Sequence, residues 1–155
     1  KADICEAGHH VPLFVRWPGQ VEPGSKCDTT VCLTDYYATF ADIFGAKLDD
    51  TAAEDSCSLL PMLRGEGINR AAPVIHHSAN GMFAIRAGKW KLVLGNGSGG
   101  RENPRGKPFA EPYQRVDIST DIGERTDVAA QHPEIVEQLT RICNEIRDNG
   151  RSVQR

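Results

Sequence analysis

The first ten residues concentrate side chains that could act on an anionic substrate. Lys1, Glu6, His9 and His10 lie in one loop around Gly8. A lysine ammonium can act as a point charge on the oxygens of an anion, and a histidine can donate hydrogen bonds. Because neighbouring residues of an extended segment face opposite ways, we expect at most one of the two histidines to point into a site. His10 is the candidate substrate contact, and a structural hydrogen-bonding role is its alternative.

A second histidine pair, His76 and His77, lies at the end of a predicted strand. Ser78, Asn80 and Gly81 follow it closely. Alternation along the strand would turn one histidine of the pair toward a cleft. Both are therefore candidate substrate-binding residues, with a hydrogen-bonded surface or core histidine as the alternative.

An apolar run follows the first loop and predicts the element that positions it. Leu13–Trp17 is bounded by Pro12 and by Pro18-Gly19, which is typical of a short buried strand. Open α/β sheets place their sites in loops at strand ends. The loop is thus expected to lie at one end of a strand in a larger sheet.

Composition indicates a globular protein of one or two small domains. The chain has 155 residues, of which 39% are hydrophobic and 25% charged. A net charge of −3 gives no electrostatic footprint for nucleic acid. No apolar run approaches the roughly 18 residues of a transmembrane helix, so we expect no membrane partner.

The five cysteines are odd in number and irregular in spacing. We expect them to be mostly reduced and buried, with one disulfide as the alternative. A zinc site is disfavoured because Cys27 and Cys32 are not followed by a second pair of ligands at zinc spacing.

Two helices are predicted in the first part of the chain. Residues 33–44 carry an aromatic stripe at helical spacing, expected to pack against a sheet, and Gly45 ends the helix. Ser58–Gly65 is predicted as a short helix. The polar segment Gly65–Ala72 is a candidate boundary, which predicts domains over residues 1–65 and 66–155.

The second part predicts an α+β domain with a four-stranded antiparallel sheet and a C-terminal helix. Pro133 opens this helix and Gly150 ends it. Alternation predicts one buried face of the sheet, and Arg86, Lys89 and Lys91 are assigned to a solvated face. The predicted strands are Pro73–Ser78, Met82–Arg86, Lys89–Leu94 and Tyr113–Ile118.

The segment between the third and fourth predicted strands, Gly95–Pro112, lacks periodicity. Its glycine-rich start, Gly95–Gly100, is interpreted as a flexible hairpin end. The alternative is a cradle of backbone amides for an anion.

Five strings in this order resemble the arylsulfatase family of the alkaline-phosphatase-like superfamily. They cover nearly the whole chain, and His10 stands where the family commonly has an arginine. The strings are K-x4-E-x-G-x-x-V-P before R-W-P-G, D-x-x-S-L-L-P-x-L-x-G, F-A-I-R-x-G-x-W-K-L, D-I-x-x-D-I-G-E-x-T and H-P-E-I-V-x-x-L.

The resemblance implies the chemistry. It assigns Lys1 to the sulfate as a catalytic residue, and His10, His76 and His77 remain candidate substrate-binding residues. The family's nucleophile is a formylglycine made in a C/S-x-P-x-R string, beside a Ca²⁺ held by Asp and Asn side chains. The chain contains no such string and no convincing calcium loop. No metal ligand is therefore assigned, and Ca²⁺ and formylglycine are expected upstream, in the full-length parent.

These points predict the C-terminal portion of a sulfatase acting on a sulfated carbohydrate or an aryl sulfate. It comprises a strand-helix remnant of the large α/β domain, residues 1–65, and the small α+β subdomain, residues 66–155. The fragment itself is expected to be inactive, and Lys1 to be solvated in it. The alternative function is a non-catalytic module that binds a glycan or a protein.

The resemblance also implies a periplasmic or extracellular location for the parent. Because Leu13–Trp17 would lack its neighbours in the fragment, we expect a homodimer or a domain swap.

Overall fold

The structure is a computed structural model that describes residues 2–66 and 72–154. Two compact units are distinguished. One comprises Lys1–Pro12 with Pro73–Asp148, and the other comprises Leu13–Ala72 with Asn149–Arg155. Residues 2–12 thus group with residues 73–148. The division of the parent into domains at residue 65 stays a prediction.

The first unit is built on the predicted four-stranded antiparallel sheet, which is confirmed. Its strands are β1 Val74–His77, β2 Phe83–Ala87, β3 Trp90–Leu94 and β4 Gln114–Asp117. They lie in sequence order, and each pairs with the next. Each strand falls within a residue of its predicted bounds, because alternation and Gly-containing turns marked the hairpins.

One helix, α4 (Pro133–Asn149), covers one face of this sheet. Ile85, Leu92 and Leu94 of the sheet pack with Leu139 and Cys143 of the helix. This confirms the predicted C-terminal helix. Among the helices of the two described ranges, none is both long enough and apolar enough to span a bilayer.

The opposite face of the sheet is also buried, by the amino-terminal segment that includes the short helix α1 (Glu6–His9). Ile4 packs there with Met82, Ala84 and Val93. The solvated face predicted for the basic residues is therefore wrong at Lys91, which is fully buried, and at Arg86, whose side chain is only 16% exposed. Alternation located the side chain correctly, but it carried no information about what covers that face.

The loop Gly95–Gly100 is packed rather than flexible. The amide of Ser98 donates to the carbonyl of Pro104 at 2.9 Å, and that of Gly99 donates to the carbonyl of Arg105 at 2.8 Å. These amides are therefore engaged within the protein, which argues against the anion cradle as well.

The second unit contains the predicted helices α2 (Asp35–Ile43) and α3 (Leu60–Leu63). The expected packing of the aromatic stripe of α2 against a sheet is wrong for this chain. Tyr37, Phe40 and Phe44 are 60%, 55% and 81% exposed. The described part of this unit contains no strand for the stripe to cover.

Hydrogen bonds hold the buried side of α2. The buried carboxylate of Asp35 accepts hydrogen bonds from the amides of Cys32 and Cys57, at 2.7 and 3.0 Å. The hydroxyl of Thr39 accepts a bond from the amide of Leu59 at 2.8 Å. The helix is thus fixed to the loop that leads into α3.

The predicted strand over Leu13–Trp17 does not form. The segment has no regular secondary structure, and Phe14 is 90% exposed. A strand needs a neighbour for its backbone groups, and none of β1–β4 pairs with this run.

The expectation that most cysteines are buried is also wrong. Of the five, all in the described ranges, only Cys143 is buried, and Cys5 and Cys27 are exposed.

Candidate functional site

A buried carboxylate, Glu6, lies at the centre of the candidate site. Arg86 Nη1 donates to Glu6 Oε1 at 2.5 Å, and Lys91 Nζ lies 3.5 Å from Glu6 Oε2. Burial raises the pKa of Glu6, but the charges of Lys91 and Arg86 outweigh it, so that the pKa is lowered overall. Glu6 is thus held in its ionised form.

Lys91 is fully buried, and its ammonium meets three acceptors. Nζ lies 2.7 Å from Glu124 Oε1, 2.8 Å from the carbonyl oxygen of Ile4 and 3.5 Å from Glu6 Oε2. A lysine ammonium has three protons to donate. Its donor capacity is therefore matched by two carboxylates and one backbone carbonyl.

Glu124 joins this cluster from the turn after β4. Its second oxygen, Oε2, accepts a hydrogen bond from the backbone amide of Glu6 at 2.5 Å. The turn is shaped by Asp121, whose carboxylate accepts bonds from the amides of Arg125 and Thr126, each at 2.8 Å. Glu124 itself has a φ of +52°, in the left-handed region.

Backbone hydrogen bonds hold the residues before α1 against the same unit. The amide of Ile4 donates to the carbonyl of Ser98, and the amide of Ala79 donates to the carbonyl of Ala2, at 2.8 and 2.9 Å. A Cβ added at Gly100 would lie 2.5 Å from the carbonyl group of Ala2. The close approach of the two chains therefore requires glycine there.

The carboxylate of Asp3 is tied to the loop after β3. Its Oδ1 accepts bonds from the amides of Arg101 and Glu102, at 2.7 and 2.9 Å. These bonds, that from Glu102 above all, lower the pKa of Asp3. Lys1, the predicted catalytic residue, lies outside the described residues.

Two histidines meet beside the cluster. The rings of His9 and His76 lie 4.3 Å apart, and His9 Nε2 lies 3.1 Å from the carbonyl oxygen of Asp3. Burial, with the charge of Lys91 and the proximity of His9, lowers the pKa of His76 to about 4. Its Nε2 is buried and has no hydrogen-bond partner among the described residues. His76 is therefore neutral at pH 7.

His10 and His77, the other predicted contacts, have different surroundings. The side chain of His10 is 66% exposed, and its Nδ1 lies 3.9 Å from Glu6 Oε1. His77 lies next to Phe83, with its ring centroid 5.7 Å from that of the phenylalanine, and its Nδ1 lies 2.9 Å from the carbonyl oxygen of Ser78. The structure thus brings His10 and His76 to the Glu6 cluster, and His77 to Phe83, which packs with the α4-covered core.

The Ca²⁺ that the family resemblance implies does not fit the residues present here. Within residues 2–66 and 72–154, no three His, Cys, Asp or Glu side chains are grouped so that they could hold a metal ion. The acidic side chains at the site instead bind Lys91, Arg86 and backbone amides. We therefore derive no step through a metal in this chain.

Sequence reasoning missed Arg86, Lys91 and Glu124 as members of the site. They lie 80, 85 and 118 positions from Glu6. The available signal was their place in the resemblance strings F-A-I-R, W-K-L and D-I-G-E. Each string supplies one charged partner of the amino-terminal segment.

Curated relatives match almost the whole chain. An N-acetylgalactosamine-6-O-sulfatase of Bacteroides thetaiotaomicron is 28% identical over 158 residues, covering 95% of this chain and 29% of the relative. The chain is related to the sulfatases. Arylsulfatase K of Rattus norvegicus is 29% identical over 160 residues, covering 93% of this chain and 26% of the relative. The chain thus spans less than a third of either relative, consistent with the predicted C-terminal portion of a sulfatase. No family model matches.

Solved structures support the fold. One from the work on the metabolism of multiple glycosaminoglycans by B. thetaiotaomicron has a TM-score of 0.61 at 26% identity, covering 74% of this chain and 24% of that one. Another, Ps i-CgsB, has a TM-score of 0.64 at 24% identity, covering 83% and 27%. The predicted α+β fold of a sulfatase subdomain is thus confirmed.

Proposed function

We propose that this chain is part of a sulfatase that hydrolyses sulfate esters of carbohydrates, and that it presents Lys1 to the sulfate. The observation that carries the proposal is the docking of residues 2–10 on the sheet. Hydrogen bonds fix Ala2, Asp3 and Ile4, and Glu6 is buried between cations. A segment so held can deliver an adjoining side chain to a defined position.

The substrate proposal rests on the relatives. The B. thetaiotaomicron relative is named as an N-acetylgalactosamine-6-O-sulfatase. One structural neighbour is described in complex with D-glucosamine-2-N,6-O-disulfate, although at 20% identity it supports the fold alone. A sulfated amino sugar is therefore the first substrate to try, with an aryl sulfate as the alternative.

The chemistry divides between this chain and its parent. Negative charge on the sulfate oxygens and on the leaving alkoxide must be stabilised as the ester bond breaks. The Lys1 ammonium would contact the sulfate oxygens, and exposed His10 would donate a hydrogen bond to the sulfate or the sugar. His76 is a weaker candidate contact, because it is partly buried beside His9, whereas His77 is exposed next to Phe83 and stays a candidate.

A formylglycine and Ca²⁺, placed upstream in the parent, would supply the attacking group and the divalent charge. No C/S-x-P-x-R string occurs in the 155 residues. We therefore propose that these residues alone do not hydrolyse sulfate esters.

The test is the parent protein, with the upstream sequence restored and matured for formylglycine. We expect release of sulfate from N-acetylgalactosamine-6-sulfate, and a fall in kcat of about 10²–10³-fold in Lys1→Ala, as for other groups that stabilise developing charge. His10→Ala should mainly raise KM. Lys47→Ala is the matched control. An upstream sequence without the C/S-x-P-x-R string, or full activity of Lys1→Ala, would contradict the proposal. Glycan binding by residues 66–155 alone would instead favour the alternative function, a non-catalytic module that binds a glycan.

The exposed apolar side chains of the second unit support self-association of this chain. Leu13, Phe14, Phe40 and Phe44 are all exposed, and large exposed apolar surface favours association. We propose that the 155 residues form a homodimer or a domain swap. We also propose that the parent is exported to the periplasm or the cell exterior. Light scattering that finds a monodisperse monomer would count against self-association.

A further inference from the structure

We propose that Lys91 and Glu124 act as positioning residues for Lys1. Together they form what we call the latch, defined as the Lys91–Glu124 ion pair and its bonds to the amino-terminal segment. The inference rests on the proposed function, since it assumes that Lys1 contacts the sulfate. It adds that two residues far from Lys1 in sequence set where that contact is made.

The latch acts on the backbone of the segment as well as on its side chains. Lys91 Nζ donates to the carbonyl of Ile4 at 2.8 Å, and Glu124 Oε2 accepts from the amide of Glu6 at 2.5 Å. The two bonds lie on either side of Cys5. They therefore fix the path of the chain between the first residues and α1, whichever side chains the segment carries.

The latch is built from groups that stability alone would not select. Glu124 has a φ of +52°, a backbone conformation in which a residue other than glycine is strained. Strained backbone of this kind is often retained at functional sites. A glycine at position 124 would relieve the strain, but it would remove the carboxylate that holds Lys91 and the amide of Glu6.

The burial of Lys91 also indicates that the latch does more than stabilise the fold. It is fully buried on a face that it shares with Ala84 and Val93. A well-packed apolar cluster is often as stable as a buried ion pair, because charges lose their hydration on burial. What the charged cluster provides beyond stability is directional, because its hydrogen bonds are made to the carbonyl of Ile4 and the amide of Glu6.

The first experiment measures amide hydrogen exchange in the 155-residue chain. Lys91→Met keeps an apolar stem of similar length and removes the ammonium. Lys89→Met is the matched control, since Lys89 lies two residues away, is exposed and bonds Asp117 at 2.8 Å. We expect the amides of Ile4 and Glu6 to exchange at least tenfold faster in Lys91→Met and to change less than twofold in Lys89→Met.

Glu124→Gly is a second variant, which keeps the inference testable if Lys91→Met does not fold. It lies in a turn outside the sheet, and glycine suits its backbone. The same two amides should exchange at least tenfold faster in Glu124→Gly, while amides of β2 and β3 keep their protection. Unchanged exchange at Ile4 and Glu6 in the folded variants would overturn the inference.

The second experiment measures kinetics in the full-length parent. A displacement of about 1 Å at a catalytic group can reduce the rate about 10²-fold. We expect Lys91→Met and Glu124→Gly to lower kcat by 10–100-fold with KM changed less than threefold, and Lys89→Met to leave both unchanged. Full kcat in the latch variants, with Lys1→Ala inactive, would overturn this inference alone. A fully active Lys1→Ala would overturn the proposed function and this inference with it.

Discussion

The neutral state of His76 makes the stability of the first unit depend on pH. The pKa of His76 is about 4 in the folded protein, against 6.5 for an ordinary histidine. Between these values the unfolded chain binds a proton that the folded protein does not, so the free energy of unfolding falls as pH falls from about 6.5 to about 4. The groups that face His76 are Lys91, His9 and Glu6, and the first two oppose its protonation.

The size of the effect follows from the shift. One pKa unit corresponds to about 1.4 kcal/mol, so at pH 4.5 the loss would be about 3 kcal/mol for a fully buried group. Because His76 is partly exposed, solvent screening reduces the expected loss to about 2 kcal/mol. The pKa of Glu6 is lowered, so its contribution begins to be lost as pH falls through the ordinary value of 4.5, and this loss is common to the wild-type chain and His76→Gln.

Urea unfolding at pH 7.0 and 4.5 measures this loss. His76→Gln should lose about 2 kcal/mol less than the wild-type chain between the two values, because it cannot bind the proton. His10→Gln is the control, since the side chain of His10 is largely exposed. Equal losses in the wild-type chain and His76→Gln would refute the reasoning that burial beside Lys91 keeps His76 neutral.

Three further predictions concern packing. Leu92→Ala should lower the free energy of unfolding by about 3 kcal/mol, because Leu92 is fully buried under α4. Phe14→Ala is the control, and it should change the free energy of unfolding by less than about 0.5 kcal/mol, because Phe14 is exposed. Urea titrations measure both changes. Gly100→Ala should lower the free energy of unfolding by about 1–3 kcal/mol, because the added Cβ would lie 2.5 Å from the backbone of Ala2. Gly123→Ala is the control, and it should change this free energy little, because its nearest contact would be at 3.4 Å. The exposed thiol of Cys27 should react at once with a thiol reagent. The thiol of Cys143 should react only on unfolding, because Cys143 is buried and burial raises its pKa. Equal reaction rates for the two thiols would contradict the packing of α4.

The sheet and α4 could be predicted because their signals are local. Alternation along β3 and the apolar stripe of α4 are contained within single elements. Turn residues such as Gly81 and Gly88 marked the hairpins between them. The antiparallel pairing of β1 with β2 and of β2 with β3 follows from these short turns, whereas β3 and β4 are joined by the long segment 95–113.

The candidate site could be predicted only in part. Lys91 alternates with Trp90 and Leu92 in the way that a solvated lysine would, and the pattern does not reveal that Glu6, 85 positions away, covers it. The same limit applies to Leu13–Trp17 and to the aromatic side of α2. Apolar periodicity shows that a surface needs cover, but it does not identify the element that provides it.

The bond between Glu6 and Glu124 joins residues 118 positions apart. During synthesis at about 5–20 residues per second, Glu6 leaves the ribosome roughly 6–24 seconds before its partner. Until then the amino-terminal segment has no finished surface on which to settle. The amino-terminal segment is therefore among the last parts of this chain to reach its folded position, and an error in the turn at Glu124 would leave the amide of Glu6 without its acceptor.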